Sequence, residues 1–123
     1  MPEQAASARV LVVDDDAGVR SRLRALLETA GARVSEAVHG HAALHQARAA
    51  AFDLAIIDLI MPQKDGLETI RELRLARLVP HIIAISGAAQ YLNMARLLGA
   101  EAVFPKPLNE AELISSVRRL LGI

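Results

Sequence analysis

Strand-like runs alternate five times with helix-like segments along this chain, and the clearest runs are apolar at every position. A strand without a polar face needs cover on both sides. The helix that follows it must cross back over the sheet, so neighbouring strands lie parallel. The apolar centres are Val10-Leu11-Val12-Val13 in a strand over 9–13, Leu54-Ala55-Ile56-Ile57 in one over 52–59, and Ile82-Ile83-Ala84-Ile85 in one over 81–86. Weaker runs cover 33–37 and 102–104. The second is followed by Pro105, which an edge strand tolerates because its missing donor leaves no gap in the ladder.

The intervening segments carry helix signals. Asp16 is placed to cap a helix with Val19, Leu23, Leu26 and Leu27 on one face, and Gly31 supplies a left-handed stop. The alanine-rich stretch 41–50 reads as the second helix. Pro62 and the Asp65-Gly66 pair mark 61–66 as a loop. A third helix spans 67–78, with Ile70, Leu73 and Leu78 inward, Glu68, Arg71, Glu72 and Arg74 outward, and Pro80 beyond its end. The fourth covers 91–98 and stops at Gly99. Asn109 and Glu112 have the spacing of a capping box for a last helix, whose Leu113, Ile114, Val117, Leu120 and Leu121 face the sheet. The reading is an α/β domain over 9–123, a doubly wound five-stranded parallel sheet with helices on both faces, after a flexible head over 1–8.

Composition removes several function classes. The 123 residues suit one domain, and 53% hydrophobic content suits a packed core rather than disorder. Fourteen basic and fourteen acidic residues cancel, so the basic excess expected of a protein that holds nucleic acid is absent. With no cysteine there is no disulfide, thiolate catalysis or zinc–thiolate site. The N-terminus lacks a leader pattern, and no stretch approaches the ~20 apolar residues of a membrane helix. The expectation is a soluble, cytoplasmic protein.

Polar residues gather where the strands end. The first strand delivers Asp14 and Asp15, the third Asp58, the fourth Ser86, and the fifth is followed by Lys106. In open α/β sheets that edge is where ligands bind. Singly, each residue has an ordinary explanation as a cap, a loop hydroxyl or a surface charge. Together they do not, because unrelated caps have no reason to share one edge. Carboxylates about 4 Å apart repel by about 4 kcal/mol at an effective dielectric near 20, so three of them need cations. Lys106 is one, and a magnesium ion held by few carboxylates and several waters is another. That set suits phosphoryl transfer, in which charge spreads over three oxygens. No Gly-x-x-x-x-Gly-Lys loop is present to hold ATP, so a carboxylate nucleophile taking a phosphoryl group from outside is the simplest reading.

These residues match a known pattern. Val12-Val13-Asp14-Asp15-Asp16, Asp58-Leu59-Ile60-Met61-Pro62 with Asp65-Gly66, Ser86-Gly87-Ala88 and Lys106-Pro107 occur in order, each at a strand end. The chain therefore resembles the receiver domains of two-component response regulators, of the chemotaxis-type single-domain kind, from Arg9 to Leu121. The resemblance implies a flavodoxin-like sheet of order 2-1-3-4-5. It implies that Asp58 is the phosphoacceptor, and that Asp15, Asp58 and the Ile60 carbonyl ligate Mg2+, with Asp14 acting partly through water. It implies that Ser86 donates to one phosphoryl oxygen and moves towards it on activation, and that Lys106 pairs with another. The Lys106–Pro107 bond is expected to be cis. The implied phosphodonor is a sensor histidine kinase or histidine phosphotransfer protein, and the chain catalyses only its own phosphorylation and dephosphorylation. The implied output is a protein target, or a phosphorylation-dependent homodimer, reached through the fourth helix, fifth strand and last helix.

Two positions depart from the family pattern. Val103 stands where an inward-turning aromatic is common, and Phe104 points to the opposite side of its strand, so it is no substitute. Tyr91 is an alternative reporter of the switch state, but the expectation is that it is partly buried and serves packing. Ile60, two residues past Asp58, is apolar where polar side chains also occur, which leads us to expect it to shield an acyl phosphate from water. The same Ile60 argues against a metal-dependent phosphohydrolase, whose second acid sits at that spacing. The intact Asp14, Asp15, Asp58, Ser86 and Lys106 argue against a degenerate receiver. The sequence stops at Ile123, which argues against a DNA-binding output. His41 and His45, spaced for a shared metal, have no third ligand nearby and read as a solvated helix face, while His39 reads as loop and His81 as a strand start.

Overall fold

A computed structural model describes residues 7–61 and 65–123. Its elements are β1 (Arg9–Val13), α1 (Ala17–Thr29), β2 (Arg33–Ala37), α2 (Gly40–Ala49), β3 (Leu54–Asp58), α3 (Gly66–Leu75), β4 (His81–Ser86), a 3-10 turn (Ala89–Tyr91), α4 (Leu92–Leu98), β5 (Ala102–Pro105) and α5 (Glu110–Leu121). Every strand pairing is parallel and the sheet order is β2-β1-β3-β4-β5, as the resemblance implied. No helix among the described residues is long and apolar enough to cross a membrane. Most of the head expected over 1–8 lies outside the described residues, as do positions 62–64 of the loop after β3.

Side chains alternate across a strand, so the apolar strands feed two cores. Leu11, Val13, Ala55, Ile57, Ile82 and Ala84 pack with α2, α3 and α4 through Leu44, Ile70, Leu73 and Ala95. Val10, Val12, Leu54, Ile56, Ile83 and Ile85 pack with α1 and α5 through Leu23, Leu27, Leu113 and Val117. The less apolar β2 and the proline-bearing β5 are the two edges, where a strand has one neighbour.

Helix ends follow from local chemistry, with two surprises. Asp16 accepts from Gly18 and Val19 N–H, Asp65 from Glu68 N–H, and Asn109 from Glu112 N–H. Gly31, at φ +97°, closes α1, with its own N–H on the Glu28 carbonyl and the Ala32 N–H on that of Leu27. The third helix, expected to reach Leu78, ends at Leu75, because Arg77 takes φ +53° and the Leu78 N–H turns back to the Leu73 carbonyl. A non-glycine residue in that conformation gives no warning in sequence. His39, read as loop, caps α2 by accepting the Ala42 N–H on Nδ1 at 3.1 Å.

Candidate functional site

Asp14 follows the last residue of β1 and is fully buried. Four contacts hold it. Its N–H donates to the Ala37 carbonyl, Oδ1 accepts the Asp16 N–H at 2.9 Å, Oδ2 accepts Lys106 Nζ at 2.9 Å, and its carbonyl accepts Arg20 Nη1 at 2.8 Å. Asp15, the next residue, is exposed. Asp58 closes β3 with 4% of its surface exposed; its Oδ1 accepts the Ile60 N–H at 3.4 Å and lies 3.6 Å from Lys106 Nζ. Ser86 closes β4, is fully buried, and its Oγ accepts the Ala88 N–H at 3.0 Å. Lys106 follows β5, with its N–H on the Ser86 carbonyl. The Lys106–Pro107 bond is cis.

The carboxylates of Asp14, Asp15 and Asp58 all lie within 4.8 Å of one another. At that separation a charged pair repels by about 3 kcal/mol at an effective dielectric near 20. Burial raises the Asp58 carboxyl first, the Asp14 charge adds to this, and the two outweigh Lys106 and the Ile60 N–H, so its pKa is pushed up to about 6. Burial by itself would lower the Lys106 ammonium, but the Asp14 hydrogen bond and the charges of Asp14 and Asp58 hold it above its ordinary value. Hard carboxylate oxygens, with no sulfur or imidazole among them, fit a hard divalent cation such as magnesium.

The sheet thus brings Asp14, Asp15, Asp58 and Lys106 into mutual reach. Ser86 sits one residue beyond Ile85, the β4 partner of Asp58. Ile60 is exposed beside Asp58. Val103 packs with the α2–α4 core and Phe104 with the α1–α5 core, as strand alternation required. Tyr91 departs from expectation: it is exposed and lines a depression of about 240 Å³ with Ile60, Met61 and Leu67. His41 and His45 are exposed, and the three aspartates are the metal-competent group found among the described residues.

Gly66 carries a constraint that the turn pattern Asp65-Gly66 did not convey. A Cβ there would fall on the Asp58 carbonyl oxygen and 2.6 Å from Leu59 Cα, so the start of α3 can approach the end of β3 only without a side chain.

The family model described as "Response regulator receiver domain" matches residues 10–118. The transcriptional regulatory protein CpxR of Escherichia coli is 35% identical over 114 residues, covering 92% of this chain and 49% of that protein. The chain thus spans about half the length of such relatives. Among solved structures, the chemotaxis protein CheY4 of Vibrio cholerae has a TM-score of 0.85 at 29% identity, covering 94% of this chain and 99% of that one. The response regulator TrrA of Thermotoga maritima, in complex with Mg(2+)-BeF, also has a TM-score of 0.85, at 30% identity and with 92% and 98% covered. With transcriptional and chemotaxis proteins both among the matches, the comparisons give the receiver family rather than its chemotaxis branch.

Proposed function

This chain belongs to the response regulator receiver domain family of two-component signalling, and on that premise we propose that Asp58 is its phosphoacceptor. One observation carries the reading: three carboxylates, the buried Asp58 among them, and one ammonium converge from three strand ends. An Asp58 carboxylate oxygen attacks the phosphorus of a phosphohistidine already protonated on its other ring nitrogen, the P–N bond breaks with its electron pair going to nitrogen, and neutral imidazole leaves. Lys106 pairs with one phosphoryl oxygen and the Ser86 hydroxyl donates to another. Attack of water on phosphorus later breaks the P–O bond to Asp58, releasing inorganic phosphate and returning the carboxylate.

Asp15, Asp58 and the Ile60 carbonyl would hold magnesium, with Asp14 acting partly through water. The bound ion supplies positive charge that offsets the carboxylates and the phosphoryl oxygens. The donor set supports this, and so does the Mg(2+)-BeF complex of the similar TrrA. A groove of about 470 Å³ lined by Val19, Arg22, Pro107 and Leu108 runs up to Lys106 and offers a histidine-bearing kinase or phosphotransfer protein a way in. The output is a protein contact through α4, β5 and α5, or a homodimer on that face. A second reading, favoured by the names of the half-matched relatives, is that this contact serves transcriptional control.

The test is incubation with acetyl phosphate and Mg2+. Wild type should gain one acid-labile phosphoryl group and Asp58→Asn none; equal labelling of the two sinks the reading.

A further inference from the structure

We propose that Arg20 is a positioning residue for the cation site and acts through the Asp14–Asp15 peptide; this rests on the functional reading above. Asp15 is exposed, and among the described residues its carboxylate accepts no hydrogen bond. Only its backbone therefore fixes where that side chain starts. The peptide joining it to Asp14 is gripped from below: Arg20 Nη1 donates to the Asp14 carbonyl at 2.8 Å while Nε of the same guanidinium donates to Glu36 Oε1 at 2.9 Å. The Arg20 side chain is only 15% exposed. Its planar fork thus spans two acceptors at fixed geometry.

Glu36 is itself fixed. Its Oε2 accepts Arg24 Nε at 2.6 Å, and its carbonyl accepts Gln46 Nε2 from α2 at 2.7 Å. The Arg24 hydrogen bond first, and that of Arg20 after the opposing cost of burial, keep the Glu36 carboxyl below its ordinary range, so it is charged wherever the site works. The neighbouring β2 residue, Ala37, holds the Asp14 N–H. The β1–α1 corner is therefore clamped on both sides of Asp14 from β2, and Arg20 is the part of the clamp that touches the peptide leading to Asp15.

A simpler role as a brace between α1 and β2 makes a different prediction, because Arg24 is an equal brace. It reaches the same Glu36 from the same helix without touching Asp14. If Arg20 positions Asp15, Arg20→Ala weakens Mg2+ binding about tenfold, the lower end of what loss of an outer-shell partner does. Arg24→Ala, which leaves the Arg20 contact to Asp14 in place, loses clearly less than Arg20→Ala. Arg20→Lys, which cannot span both acceptors, falls between wild type and Arg20→Ala.

Mg2+ titration by calorimetry on the full chain reads these affinities. Acetyl phosphate labelling, read against Mg2+ concentration, should show a raised half-saturation with an unchanged plateau for Arg20→Ala. Wild-type affinity in Arg20→Ala, or an equal loss in Arg24→Ala, overturns the positioning role. Arg20→Lys covers the case in which the alanine variant unfolds, and wild-type affinity there overturns the role too. If wild type itself neither binds Mg2+ nor is labelled, the functional reading fails first.

Discussion

The two ends of the sheet handle charge in opposite ways. At the amino end, Arg74 of α3 donates to the Gly99 and Pro80 carbonyls and pairs with Glu101 at 3.1 Å, and Glu101 also faces His81 Nδ1 at 3.0 Å and accepts the Ile82 N–H. Burial would raise the Glu101 carboxyl, but His81 and Arg74 outweigh it and hold it low. At the carboxyl end, three carboxylates share one crevice and Asp58 is pushed up to about 6. One end is a brace in which unlike charges meet. The other holds like charges together at a cost, which a cation would relieve. A receiver needs that asymmetry: the scaffold must be settled while the site is poised.

Removing a charge should therefore have opposite signs at the two ends. Asp58 has its folded-state pKa raised above the ordinary 3.8, so its contribution is intact below pH 4 and is lost as pH rises through 6. In metal-free protein at pH 7.5, Asp58→Asn should be more stable than wild type by about 3 kcal/mol, shrinking towards zero as pH falls from 6 to 4. Urea unfolding in chelator across that range checks it, and a variant less stable than wild type at pH 7.5 would break the comparison.

Gly66→Ala, at the same end, should cost about 2 kcal/mol and slow acetyl phosphate labelling, since the added methyl meets the peptide joining Asp58 to Leu59. Unchanged stability and labelling would mean that α3 can retreat freely.

At the amino end, Arg74→Ala should destabilise by about 1.5 kcal/mol by stranding the Gly99 carbonyl and taking one partner from Glu101, with the labelling rate unaltered. A changed labelling rate would mean that the ends are not independent. The smallest effect expected is on lifetime. Ile60→Asn, at an exposed side chain beside Asp58, should speed phosphoryl loss a few-fold, equivalent to under about 1 kcal/mol of barrier. Equal or slower loss would remove Ile60 as a shield.

Much of the molecule was legible from the residues alone. Uninterrupted apolar strands require cover on both faces, and right-handed crossovers then put every strand's carboxyl end on one edge. Asp14, Asp58, Ser86 and Lys106 were bound to share it. Signals contained within one turn, such as Asp16 as a cap and Gly31 as a stop, were legible for the same reason: cause and effect lie a few residues apart.

Tertiary structure decided the rest. The stop at Arg77, the cap from His39, the need for Gly66 to lack a side chain and the Arg20–Glu36 clamp carry no local mark. Nor does the degree to which Asp58 is strained. Lys106 meets Asp14 across 92 positions of sequence and Arg74 meets Glu101 across 27, and only folding sets which charges end up buried beside which. Burial and Coulomb energy depend on distance in space, which residue types and spacing along a chain do not contain.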